Sequence, residues 1–266
     1  MIDRWRRWLF GLVLLLAASP GPGAEAWAFR FDSRKFNSSW HDDLSFHNTT
    51  DQDAVVSLLG VSNGTIGEGT PLDVRVPAQR TVSLSDLPGV WQADLDSDLW
   101  VARFDVPDGI LVSSRGGLDS ECPSPCGAPP NPFPNLGAFT MPVFRSLTPA
   151  GARQFHFGAD LGTQPSRSNV GIYNGGVAAG TATIALYRAC DDALLGVRTV
   201  SVPANFALQV GMAGDDAAAG CSDQSKLNTW LRYVIVTMDQ PSLTYVFNVA
   251  GDLNSYPHLP FGLAGF

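Results

Sequence analysis

The sharpest polar cluster in the 266-residue chain is His41-Asp42-Asp43, in a sequence with only four histidines: His41, His47, His156 and His258. An imidazole beside two carboxylates has the parts for general acid–base chemistry. The cluster, however, opens a run in which Leu44 and Phe46 alternate with Ser45 and His47, the pattern of a strand. Neighbouring strand residues point to opposite faces, so His41 and Asp42 do not converge on one substrate. The cluster is therefore read as the solvated entrance of a strand.

Asp94, Asp96 and Asp98 form a second candidate. Alternate aspartates on a loop direct oxygens toward a calcium ion, which takes six to eight of them. The EF-hand pattern requires a glycine after the third ligand position, and Leu99 stands there instead, so this is a weak calcium candidate. Among the aromatics, Trp40, Trp91, Trp100 and Trp230 offer rings on which a sugar could stack. Trp100 and Trp230 fall at strand starts and are assigned to the core. Trp91, after Leu-Pro-Gly-Val, is the ring placed at the surface as a ligand contact. Neither a phosphate loop nor His-Glu-x-x-His occurs. No catalytic residue, cofactor or metal site is assigned, and the chain is not read as an enzyme.

The N-terminus gives the compartment in which such residues would work. Arg4, Arg6 and Arg7 precede an apolar stretch from Trp8 to Ala18, which breaks at Ser19-Pro20-Gly21-Pro22-Gly23. A basic start, a short apolar run and small residues make a secretory signal peptide. Ala24-Glu25-Ala26 fits a cleavage site, giving a signal peptide of residues 1–26 and a mature start near Trp27. The apolar run is shorter than the roughly 20 residues that span a bilayer, so no transmembrane segment is expected after cleavage. Loss of three arginines and two acids takes the net charge from -8 to -9. With no basic run, nucleic acid and anionic membranes are disfavoured as partners. Four cysteines in an exported chain favour disulfides. Spacing favours Cys122–Cys126 and Cys190–Cys221 over the other pairings, and no nearby histidine supports a metal at Cys122 and Cys126.

Period-two alternation and frequent Gly, Pro, Asn and Asp describe the rest as short strands and turns. Leu231, Tyr233 and Ile235 are read as one strand face, as are Phe206, Leu208 and Val210, and Leu243, Tyr245, Phe247 and Val249. The chain also resembles itself. A shift of 126 lays Phe46-His47-Asn48 on Ile172-Tyr173-Asn174, and Val74 to Ala78 on Val200 to Ala204. A shift of 134 lays Asp105-Val106-Pro107 on Asp239-Gln240-Pro241, which implies an eight-residue insertion containing Cys221. Asn48 and Asn174 are expected to cap turns with their own side chains. The organisation is then a first β-sandwich over 27–118, a proline-rich connector over 119–150 and a second β-sandwich over 151–266. The connector holds eight prolines, yet its apolar residues predict that Ala138–Phe144 packs on a domain.

Through Trp40 to Asn48, Arg167 to Asn174, Leu186-Tyr187 to Gly196, Val202-Pro203-Ala204 and Thr237 to Pro241, the chain resembles tandem immunoglobulin-like β-sandwich modules of uncharacterised secreted or surface bacterial proteins. The resemblance implies an all-β fold of two antiparallel sandwiches and transfers no catalytic residue. The expected function is a secreted or periplasmic, non-enzymatic binding or structural protein, with a cell-surface protein or glycan as partner. A carbohydrate-binding accessory module is the alternative. A fibre-subunit chaperone, disfavoured by the acidic charge, and a hydrolase with a dispersed site come after it.

Overall fold

The computed structural model describes residues 23–31, 39–62, 71–85, 99–119, 139–160, 167–211, 231–250 and 254–258. Among them there is no helix, and none therefore long and apolar enough to cross a membrane. The strands of the first half are β1 (Ala24–Phe31), β2 (Ser39–Asn48), β3 (Ala54–Ser62), β4 (Leu72–Val76), β5 (Thr81–Ser85), β6 (Leu99–Val106) and β7 (Ile110–Asp119). Two short ones follow, β8 (Phe139–Met141) and β9 (Val143–Phe144). The second half has β10 (Arg153–Asp160), β11 (Arg167–Asn174), β12 (Gly180–Arg188), β13 (Leu194–Val202), β14 (Phe206–Gly211), β15 (Leu231–Met238), β16 (Ser242–Ala250) and β17 (Asn254–His258).

Four antiparallel sheets result: sheet A in order β4-β3-β6-β1-β9, sheet B as β5-β2-β7-β8, sheet C as β14-β11-β16-β17 and sheet D as β10-β15-β12-β13. The orders correspond strand for strand, A with D and B with C. Registers correspond too. Asn48 pairs with Ile110 as Asn174 pairs with Ser242, and Leu58 with Phe104 as Ile184 with Val236. These pairs fix the shift of the last two strands at 132, not 134. Asp105 is thus the counterpart of Thr237, and the Asp-x-Pro match is a slip of two residues. Pro107-Asp108-Gly109 and Asp239-Gln240-Pro241 both make three-residue hairpin turns, and turn residues recur whatever the register. The insertion between β14 and β15 is correspondingly six residues.

The two asparagines are equivalent to the atom. Asn48 donates through Nδ2 to the carbonyls of Gln52 (2.7 Å) and Val76 (3.0 Å), and its Oδ1 accepts from Thr50 N (2.9 Å). Asn174 donates to Ala178 O and Val202 O, both at 2.9 Å, and accepts from Gly176 N at 2.8 Å. Both side chains are fully buried. The Val-Pro-Ala turns match as well, with Gln79 (φ 56°) and Asn205 (φ 52°) in the left-handed region.

Three cores hold the four sheets in the order B, A, C, D. Ala26, Ala28, Leu58, Trp100 and Phe104 of sheet A meet Leu44, Phe46 and Ile110 of sheet B. Val170, Ile172 and Val246 of sheet C meet Ile184, Leu186, Val234 and Val236 of sheet D. Between these, Trp27, Phe29, Leu99 and Val101 on the far side of sheet A pack on Tyr173, Ala207, Leu243 and Tyr245 of sheet C. The Phe29 and Tyr245 rings lie 4.7 Å apart there. Gly171, opposite Tyr245, is required: a Cβ would fall 1.7 Å from that ring. Burying each such aromatic contributes roughly 1.5–3 kcal/mol, enough to join the halves through their sheets.

Three placements bear on the expected boundaries. Ala24–Ala26 begin β1, with Ala26 fully buried in the first core. Phe139–Met141 pair with β7, and Val143–Phe144 pair with β1, so this segment closes both sheets of the first half across the buried Pro142. Trp100 is a core residue, as its position at a strand start predicts.

Candidate functional site

With sheets A and C facing each other, two sheet faces remain outermost. The outer face of sheet B is polar: Ser45 Oγ and Ser83 Oγ lie 2.7 Å apart, and His47 Nδ1 lies 2.9 Å from Thr81 Oγ1. Among the described residues a single large apolar side chain, Leu111, stands exposed on it.

The outer face of sheet D is different. Phe155, Tyr233 and Tyr187 come from the adjacent strands β10, β15 and β12 and form one stack. Phe155 and Tyr233 are 4.7 Å apart at 22°, and Tyr233 and Tyr187 are 5.0 Å apart at 9°. These spacings repeat the inter-strand distance of about 4.8 Å, so the rings stand on edge, one per strand. Both faces of Tyr233 are covered, and ring edges point outward. Such edges carry the positive end of the aromatic quadrupole and suit ligand oxygens. Leu194 and Val197 of β13 continue the patch and are 54% and 53% exposed. Ala185 and Ile235 fill the row between Phe155 and Val197 through the pairs Phe155–Ile235, Ile235–Ala185 and Ala185–Val197.

Polar groups rim the stack. The Tyr233 hydroxyl donates to Asp192 Oδ1 at 3.1 Å. Burial first, then the Asp192 carboxylate, push its ionisation up to about 12. At the same end of the sheet but on its other face, where it lies opposite the inward Arg232, Arg188 forms a bidentate pair with Asp191 at 2.8 and 2.7 Å, which raises the guanidinium further. Thr183, Thr199 and Thr237 form the next cross-strand row. The surface combines stacked aromatics, hydroxyls and the Asp192 carboxylate, groups that can hold a ligand.

The residues singled out by sequence fall elsewhere. Trp91, Asp94, Asp96, Asp98, Cys122, Cys126, Cys221 and Trp230 lie outside the described residues, as do the side chains of Trp40, His41 and Asp42. Cys190 sits in the β12–β13 turn and is not a free thiol. His156 is enclosed: its Nε2 lies 2.7 Å from Thr244 Oγ1, which donates to Gln154 Oε1 at 2.8 Å, and Gln154 Nε2 donates to Ser242 Oγ at 2.9 Å. All four residues are buried between sheets C and D, away from any substrate.

Sequence reading missed the aromatic stack because its rings lie on three separated strands. The strand face that Tyr233 and Ile235 share is the outward one. Arg232, Val234 and Val236 face the core, while Tyr233 and Ile235 face outward. A hint was present, since an inward Tyr233 would have required Val234 and Val236 to be exposed. One motif was passed over as well. Gly60-Val61-Ser62-Asn63-Gly64 has the spacing of a serine-nucleophile elbow. Ser62, however, ends an antiparallel strand and still pairs with Val101, whereas the elbow requires a strand-to-helix turn.

Comparison with protein-family models, with curated proteins and with solved structures returns no match.

Proposed function

We propose that this chain is an exported, non-enzymatic binding or structural protein, built from two copies of one immunoglobulin-like sandwich, that recognises its partner through the outer face of sheet D. The observation that carries the reading is the Phe155–Tyr233–Tyr187 stack, left on the surface with Leu194 and Val197 beside it. Half-buried rings continued by exposed aliphatic side chains make an apolar surface patch, and such patches mark interaction sites. The duplicated strand orders support the tandem module, and a Cys190 that is not free suits an oxidising compartment. Cys221 is its proposed partner, and Cys122 that of Cys126. Because β1 starts at Ala24 and buries Ala26, we place signal cleavage at the Gly21-Pro22-Gly23 break, with the small residues Gly21 and Gly23 at the site.

A second reading, a carbohydrate-binding accessory module, is favoured by the hydroxyl row and carboxylate beside the rings. One experiment tests both. The full mature chain is incubated with native cell envelope and with a panel of insoluble polysaccharides, beside a Tyr187→Ala/Tyr233→Ala variant of unchanged fold. Retention on envelope that the variant loses supports recognition by sheet D, and retention on one polysaccharide selects the glycan. Equal retention of both proteins everywhere, or none, refutes the assignment of this face.

A further inference from the structure

Eight strands form the edges of the four sheets, and β13, at nine residues, is the longest. Among the described residues it pairs with β12 alone, regularly from Gly196 to Val202 and with a bulge at Leu195 near its start. An edge strand presents a row of N–H and C=O groups that template another strand, and proteins blunt it by shortness, charge or proline. The equivalent strand of the first half is blunted by shortness, by charge and by a proline before it; the proline after it, Pro77, has its counterpart after β13 in Pro203. β4 has five residues between Pro71 and Pro77, and carries Asp73, bonded to Ser57 at 2.6 Å, and Arg75, paired with Asp53. β13 is nearly twice as long and has a single charge. That charge, Arg198, donates to the Gly211 carbonyl at 2.8 Å, across to the end of β14 and off the strand edge. Its outward residues include the half-exposed Leu194 and Val197, which have sheet neighbours on one side only.

We propose that β13 is a self-pairing edge: two copies of this chain join along it, antiparallel about a two-fold axis at Val197, and fuse their D sheets into one eight-stranded sheet. A two-fold contact uses the same patch on both subunits and must be self-complementary. The axis at Val197 sets Val197 against its symmetry mate and Arg198 against Gly196. An axis at Arg198 would set like charges directly opposite, which destabilises a pair. Charge also selects a second copy at this strand over a contact elsewhere. The chain carries a net charge of -8, and β13 is a long edge with no acidic residue at which two such copies meet without repulsion. Pairing sets both aromatic stacks on the same side of the joined sheet. A multivalent ligand would then be held by two linked faces. That last gain rests on the proposed recognition face; the pairing does not.

The test is sedimentation velocity on the full mature chain at about 100 µM, where a Kd of about 10 µM leaves most molecules dimeric. The expected result is a dimer that Val197→Lys/Thr199→Lys converts to monomer with at least a ~10-fold rise in Kd, at unchanged thermal stability. Leu111→Lys, at a residue on sheet B somewhat more exposed than Val197, leaves the dimer intact. Val197→Cys cross-links between copies on oxidation, since opposed Cα atoms in an antiparallel pair lie about 4.5–5.5 Å apart, within disulfide reach. Leu111→Cys does not. A monomeric wild type, a dimer indifferent to the lysine pair, or equal cross-linking from Leu111→Cys overturns the proposal. A monomer that still loses envelope retention with Tyr187→Ala/Tyr233→Ala refutes the pairing while leaving the recognition face standing.

Discussion

Replacing Asn174 with alanine removes three hydrogen bonds from a fully buried side chain, two of them buried and the one to Ala178 part-buried. The carbonyls of Ala178 and Val202 lose their donor, and the Gly176 N–H loses its acceptor. A hydrogen bond whose partner stays buried costs about 1 kcal/mol to break, so the turn is expected to lose about 3 kcal/mol. Asn48→Ala strips the matching bonds from the first half, plus the Thr50 hydroxyl at 2.7 Å, and should cost the same or slightly more. Scanning calorimetry gives the size of each loss and also tests the packing between sheets A and C. A body of 150–250 residues shifts in Tm by about 2–4 °C per kcal/mol, whereas a half melting alone shifts by about 4–8 °C. If the central core couples the halves, either variant lowers one shared transition by roughly 6–12 °C. If it does not, each variant moves its own half by roughly twice that and leaves the other in place. Losses below ~1 kcal/mol in both variants would refute the claim that these side chains hold their turns against solvent exclusion.

Tyr245→Ala should cost about 3–5 kcal/mol, as aromatic truncation in a core does. It should also divide one thermal transition into two, because this fully buried ring contacts Phe29 across the halves. Tyr233 ionises late, at about 12 against an ordinary 10. The folded state therefore favours the neutral phenol, and the resulting stability is complete below pH 10 and lost as pH rises through 12. Absorbance titration of tyrosinate should contain a late step that Tyr233→Phe deletes and Asp192→Asn moves to lower pH. A titration unchanged by either substitution would contradict the bond between them.

Much of the architecture is legible in the sequence, for definite reasons. Asn48 and Asn174, with the Val-Pro-Ala turns 28 residues on, keep their spacing because one side chain bridges both segments. Two failures are equally physical. Alternation in β16 marks no outer face, because Leu243 and Tyr245 are buried against sheet A while Thr244 and Val246 are buried against sheet D. A strand enclosed on both sides carries no polarity signal. In β15 the rule that apolar residues face inward gives way to Tyr233 and Ile235, which face outward to build the stack. A candidate site made of apolar residues is hard to see in sequence for that very reason.

The buried ladder of Gln154, His156, Ser242 and Thr244 gives each half of the chain an address. Register places these four where the first half has Ala26, Ala28, Ile110 and Val112. Two halves with the same strand orders invite exchange during folding, β1 entering the place of β10 or the reverse. An exchanged β1 would set two alanine methyls against the Ser242 and Thr244 hydroxyls, leaving both without partners. An exchanged β10 would bury the Gln154 amide and the His156 ring against Ile110 and Val112. Each stranded polar group costs about 1–3 kcal/mol, so a swapped product is penalised several times over in either direction. Two halves whose strand orders correspond are thus kept from being mistaken for each other, by a lock of four side chains that closes only when the correct strands meet.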